Sequence, residues 1–119
     1  IDLYMGSGGA AQGVLAAAGL KCLGGQMQCR LLLRSDQDFA TARRAGLGDP
    51  KRKWSIDDMV TGEVMFAATG ITDGHVLKGA RLLPGNRALS HSLVMRSRTG
   101  TIRHLSVRHD LDRIPLPLR

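Results

Sequence analysis

Apolar residues crowd the chain between Ala10 and Leu23, where only Gln12, Gly13, Gly19 and Lys21 interrupt a run of Ala, Val, Leu and Cys. A stretch apolar nearly all round predicts a buried helix, and Gly24 suits its C-terminal cap. The pattern then alternates: Met27, Cys29, Leu31 and Leu33 against Gln26, Gln28, Arg30 and Leu32, as in a half-buried strand. Ser35-Asp36-Gln37-Asp38 reads as a helix start with acids in the first turn, over about residues 36–45. Arg43 and Arg44 near the other end complement the helix dipole, and Gly46 closes it. Gly48 to Lys53 reads as an exposed turn, and Ser55-Ile56-Asp57-Asp58 caps a short helix that stops at Gly62. Val64 to Thr69 is almost wholly apolar, which predicts a central strand buried on both faces. Gly70 to Gly74 follows as a loop at its C-terminal end, the place where open α/β sheets contact ligands. In the last third, Pro84-Gly85-Asn86 and Arg98-Thr99-Gly100 separate Ala80–Leu83, Leu89–Arg96 and Thr101–Val107, the pattern of an antiparallel meander. Pro115 and Pro117 end regular structure. The fold class expected is α/β, a mixed layered sheet with helices and a C-terminal antiparallel meander, in one domain over residues 1–119 with no internal repeat.

Composition narrows the class. Hydrophobic residues make up 43% of the chain but aromatics only 3%, so the core must be built from Ala, Val, Leu, Ile and Met. No apolar stretch is long enough to span a bilayer and no signal-peptide pattern is present, so a cytoplasmic protein without a membrane partner is expected. Cys22 and Cys29 form neither a CxxC nor a zinc pattern and read as buried free thiols. Charge is unevenly placed. Residues 1–77 hold equal numbers of acids and bases, whereas residues 78–119 hold 9 Lys+Arg against 2 acids and carry the whole net +7. A basic half attracts nucleic acid, a sugar phosphate or an acidic partner. That half contains no Phe, Tyr or Trp on which bases could stack, so no nucleic-acid partner is expected.

The candidate chemistry lies in Asp2-Leu3-Tyr4-Met5-Gly6-Ser7-Gly8-Gly9-Ala10-Ala11-Gln12-Gly13. The run reads as a strand end feeding a glycine-rich loop that opens a helix. Such a loop lets backbone approach a ligand closely, and the N–H groups of the first helical turn favour anions, phosphate above all. Other readings lack their spacing. Ser7 is not in the Gly-x-Ser-x-Gly frame of a nucleophile elbow. The dinucleotide fingerprint fails because position 11 is Ala and no acid follows about 20 residues on. His75, His91, His104 and His109 share no metal-ligand spacing and read as surface or hairpin-face residues. Asp73 in Thr72-Asp73-Gly74 is explained by an Asp-Gly turn.

The glycine-rich run resembles class II fructose-1,6-bisphosphatases, whose pattern is close to Asp-Leu-Tyr/Leu-x-Gly-x-Gly-Gly-Ala-Pro-Glu-Gly-Val before an alanine-rich helix. The likeness continues through Val14–Ala18 and Lys21-Cys22-Leu23-Gly24-Gly25, and returns at Phe66–Gly74 and Ser92–Ser97. Gly100-Thr101-Ile102-Arg103 and His109–Arg113 complete it. The resemblance implies a sugar-phosphatase-like fold and the C-terminal part of a longer enzyme, with which a start at Ile1 agrees. It further implies hydrolysis of the 1-phosphate of fructose 1,6-bisphosphate to fructose 6-phosphate in gluconeogenesis, with Mn²⁺ or Mg²⁺, in a homo-oligomer. The family draws most of its metal-binding acids from the N-terminal part. This segment would supply a substrate-binding glycine, Gly9, and one metal-binding position, occupied here by Gln12. The chain departs from the pattern twice: Ala11 stands for the usual proline, a mild change at a helix start, and Gln12 for the glutamate. An amide offers a carbonyl oxygen but no negative charge. The alternative is therefore a catalytically impaired phosphate-binding or regulatory relative.

Overall fold

The computed structural model describes residues 3–114. Asp2 of the glycine-rich run, Ile1, Pro115 and Pro117 lie outside the described residues. Two compact units follow one another, the first ending at Val64 and the second beginning at Met65.

The first unit is built on helix α1, Ala10–Leu23. Gly24 ends it at φ 71°, in the left-handed region that suits glycine. The Gly25 N–H reaches back to the Leu20 carbonyl at 2.9 Å and closes the last turn. Only one stripe of α1 is buried: Ala17, Ala18, Gly19 and Cys22. Val14, Leu15 and Leu23 are exposed, so the expectation of a helix buried all round is corrected. Apolar composition alone does not say which side meets a neighbour. The alternation from Met27 to Leu33 survives as alternating burial, yet the ladder is short. Strand β1 covers only Gln28–Cys29 and pairs antiparallel with β2, Trp54–Ser55.

Two helices in this unit start with the same local device. In α2, Asp36–Arg44, the Ser35 hydroxyl accepts from the Asp38 N–H while the Asp38 carboxylate accepts from the Ser35 and Arg34 N–H groups. In α3, Ile56–Met59, Ser55 and Asp58 repeat that capping box. Helix α3 ends at Met59, and Gly62 beyond it takes φ 71°. It is tied to α1 by Lys21, whose ammonium donates to the Asp57 carboxylate at 2.8 Å and to the Val60 carbonyl at 2.7 Å. The Cys22 thiol lies 3.8 Å from the Val64 carbonyl. The Lys21-Cys22-Leu23-Gly24 stretch thus has structural work: a helix tie, a buried thiol and a cap. Cys29 is half-buried, and both thiols are free.

The second unit is an antiparallel sheet. Strands β4 (Arg81–Leu83), β5 (Arg87–Arg96) and β6 (Thr101–Asp110) realise the expected meander, and β3 (Met65–Thr69) joins the same sheet. Strand β5 is the hub. It pairs along its whole length with β6, while β3 and β4 pair with its two halves. The expectation for Val64–Thr69 needs correction. Strand β3 pairs with β5 alone among the described strands, and its burial alternates: Met65, Ala67 and Thr69 exposed, Phe66 and Ala68 half-buried. A short apolar run fits a half-buried strand whose outer residues are small or flexible as well as a central one. Leu93 and Met95 of β5 are the most buried side chains of this sheet.

The loop from Gly70 to Ala80 folds back on itself. The Gly70 N–H donates to the His91 carbonyl, Gly74 N–H to Leu77, and Ala80 N–H to Ile71. The Asp73 carboxylate accepts the Gly79 N–H at 2.9 Å and lies 3.6 Å from the Arg81 guanidinium. Because the sheet is antiparallel, the ligand rule for open α/β sheets does not apply to this loop. Asp73 acts as the turn residue that its Asp-Gly context suggests.

These contacts set an acid limit. The Arg34 N–H holds the Asp38 carboxyl below the ordinary value of 3.8, as the Ser55 N–H does for Asp58 and the Gly79 N–H for Asp73. A carboxyl lowered by folding contributes stability that is full above its unfolded pKa, about 4, and is lost as pH falls through the lower folded value. Helical circular dichroism is expected to hold from neutrality to about pH 4 and to decline below it. A decline beginning near pH 6 would contradict these contacts.

Candidate functional site

Gly9 is the N-cap of α1, extended at φ −67° and ψ 151°, and its carbonyl accepts the Gly13 N–H at 3.1 Å. The N–H groups of Ala10, Ala11 and Gln12 form the first turn, where a helix has no carbonyl of its own to offer them. No side chain caps this end and no acid stands in its first turn. The contrast with α2 and α3 is sharp, because each of those carries a serine cap and two aspartates at its start. An anion approaching α1 therefore meets first-turn N–H donors with no acidic side chain in that turn.

Gln12 occupies the third position of this helix. Its amide oxygen folds back over the N-cap, into the space that a Cβ at Gly9 would occupy. The two site residues expected from the sequence are thus brought side by side. Gly9 has an ordinary φ, and a side chain there would meet only the flexible end of the exposed Gln12 side chain, which can move aside. Tyr4, an exposed residue, lies over Gly6: a Cβ there would stand 2.8 Å from the phenolic oxygen.

A divalent cation does not fit what these residues offer. Gln12 supplies one neutral oxygen, whereas Mg²⁺ and its relatives want several anionic ones. Among the described residues no three His, Cys, Asp or Glu side chains gather in a group able to hold a metal ion. The histidines are dispersed as expected: His75 and His104 are exposed, and His91 and His109 are half-buried on the hairpin. His109 has a partner that the sequence did not reveal, since its Nε2 lies 2.8 Å from the Ser90 hydroxyl across the β5–β6 ladder. Clefts of about 340 and 530 Å³ flank Phe39, and neither is lined by Gly9 or Gln12. No helix among the described residues is long and apolar enough to cross a membrane.

Comparison with known proteins gives this loop its context. Residues 1–109 match the family model of bacterial fructose-1,6-bisphosphatase, glpX-encoded. The chain is 35% identical over 127 aligned positions to the D-fructose 1,6-bisphosphatase class 2/sedoheptulose 1,7-bisphosphatase of Synechococcus sp. strain JA-2-3B'a(2-13). It is 34% identical over 125 positions to the corresponding protein of Acaryochloris marina strain MBIC 11017. Each alignment takes in 94% of this chain but 36% of the relative, so the chain spans about a third of the length of the curated relatives it matches. The Gly9–Gln12 helix start, the α1–α3 tie and the antiparallel meander up to His109 all fall within the matched residues, and the chain belongs to the class II fructose-1,6-bisphosphatase family.

Proposed function

We propose that this chain is the C-terminal segment of a metal-dependent enzyme that removes the 1-phosphate of fructose 1,6-bisphosphate, in a gluconeogenic, cytoplasmic setting. The observation that carries the reading is the match across residues 1–109, with an uncapped helix start at Gly9 lying inside it. In this reading the first-turn N–H groups of α1 receive a phosphate of the substrate, and Gly9 keeps the approach open. Mn²⁺ or Mg²⁺ would be held by carboxylates of the remaining part, with Gln12 at the edge of that site. The enzyme would act as a homo-oligomer. Gln12 also favours a second reading. A neutral amide at a metal-binding position suits a relative that binds phosphate but turns it over poorly.

The test is a chimera in which these residues replace the matching third of a class 2 relative. Phosphate release from fructose 1,6-bisphosphate with Mg²⁺ or Mn²⁺ is expected. Gly9→Ser separates a functional glycine from a structural one. Serine is as good an N-cap as there is, so helix stability should hold or rise by a few tenths of a kcal/mol. Its side chain would nevertheless displace the Gln12 amide and narrow the phosphate approach, and turnover is expected to fall about tenfold, or about 1.4 kcal/mol. Unchanged turnover would remove Gly9 from the substrate site. Substrate binding without release would favour the impaired relative.

A further inference from the structure

Three arginines surround one leucine on the antiparallel sheet. The register sets Leu89 of β5 between Arg81 of β4 and Arg108 of β6. Two residues back along β5, Arg87 stands between Leu83 and Asp110. Side chains two apart on a strand share a face, as do those paired across strands. Arg81, Arg87 and Arg108 therefore rise from one face around Leu89. Arg87 is the diagonal neighbour of both other arginines, at a separation of about 7–8 Å. Arg81 and Arg108, two strands apart, are rooted about 10 Å from each other. All three are exposed, and Leu89 between them is half-buried. His91 and Ser106, the next pair along this face, set an imidazole and a hydroxyl beside them.

The acids nearby do not neutralise the cluster. Asp110 stands opposite Arg87, but its carboxylate lies 3.2 Å from the Arg113 guanidinium and accepts the Asp112 N–H at 3.2 Å. Asp73 accepts the Gly79 N–H and meets Arg81 at 3.6 Å, an exposed pair that adds little. Among the described residues no acid forms an ion pair with Arg87 or Arg108. Like charges gathered on one face repel one another, a repulsion that a bound anion would relieve.

Chemistry selects the anion. A guanidinium presents a planar fork that matches phosphate oxygens, and its hydrogen bonds to phosphate are charge-assisted and strong. Residues 78–119 contain no Phe, Tyr or Trp, so no ring is at hand for a base to stack on. A cluster about 10 Å across with one leucine as its floor is also too small for a protein partner. We propose that Arg81, Arg87 and Arg108 form a binding site for a phosphoryl anion, inorganic phosphate or a diphosphate group, with His91 and Ser106 as further donors. The site uses no residue of the α1 start and does not depend on the catalytic reading.

The test is calorimetric titration of the 119-residue chain with inorganic phosphate and with diphosphate, in about 0.1 M NaCl. Saturable binding is expected, and it should persist in Gly9→Ser, which disturbs the start of α1. Arg87→Gln and Arg108→Gln should each weaken it about tenfold or more. Arg103→Gln removes the same charge from the opposite face of β6 and should change it by less than about twofold. Circular dichroism on each variant confirms that the sheet is retained. Thermal melts add a second readout: diphosphate should raise the midpoint of the unsubstituted chain but not of the variant carrying both Arg87→Gln and Arg108→Gln. Diphosphate held more than about tenfold tighter than phosphate would assign the site to a diphosphate group, and near-equal binding to a single phosphoryl group. No saturable binding, or equal weakening by Arg103→Gln and Arg108→Gln, would overturn the proposal. Binding that survives both arginine changes but is lost in Gly9→Ser would overturn it as well, and would assign the anion to the start of α1.

Discussion

Gly79→Ala is expected to lower the thermal midpoint by roughly 10–20 °C, from a loss of about 2–3 kcal/mol. Gly79 is buried where the loop from Gly70 to Ala80 crosses itself. A Cβ there would stand 2.7 Å from the Thr72 carbonyl carbon, 2.8 Å from the Ile71 oxygen and 2.9 Å from the Asp73 nitrogen. All three are backbone atoms. They are pinned by the Ala80–Ile71 hydrogen bond and by the Asp73 carboxylate on the Gly79 N–H, so they cannot step aside as a side chain would. Gly70 approaches the Lys78 backbone in the same way, so the loop is closed at two glycines. Gly74→Ala is the internal control. Its nearest neighbour would be the Leu77 oxygen at 3.7 Å, an ordinary contact, and a change within about 0.5 kcal/mol is expected. Thermal melts of the two variants decide the matter. Equal midpoints would contradict the close approach at Gly79.

What the sequence revealed and what it withheld follow from the range of the interactions involved. Ser35 and Ser55 announced their helices because a capping box closes within four residues. Gly24 and Gly46 announced helix ends for the same reason, and Gly85 and Gly100 the hairpin turns. The placing of β3 failed because a neighbour decides which faces of an apolar strand are covered, and that neighbour, β5, lies more than twenty residues on. The exposed side of α1 was illegible for the same cause. Gly79 gave no signal at all, since its requirement comes from Ile71, Thr72 and Asp73 crossing over it. At the candidate site the helix start at Ala10 was legible, and with it the nearness of Gly9 and Gln12. The folding of the Gln12 amide onto Gly9 was not, because it depends on a rotamer and not on spacing.

The second large effect is expected from Gln12→Glu in a chain that carries the family's remaining part. Gln12 stands at the third helical position, over Gly9. A carboxylate there improves the helix dipole by about 0.3–1 kcal/mol whatever the function, so stability alone cannot tell the readings apart. Metal affinity can. If the position borders a divalent cation, a full negative charge in place of an amide oxygen strengthens its hold. The metal dissociation constant is expected to fall about tenfold and turnover to rise by a similar factor, each about 1.4 kcal/mol. Titration with Mn²⁺ and with Mg²⁺, followed by phosphate-release rates, separates the cases. A stability gain with unchanged metal affinity would leave Gln12 as a polar residue of the first helical turn only.

The most direct test of the account uses the 119-residue chain by itself. The central claim, proposed above, is that this segment contributes the helix start that receives a phosphate, while the metal-binding carboxylates come from the family's remaining part. Phosphate release from fructose 1,6-bisphosphate should be measured on the purified chain with Mg²⁺ and with Mn²⁺, beside the chimera. The chain alone is expected to release no phosphate above background while the chimera turns over. Metal-dependent turnover by the chain alone would contradict the account.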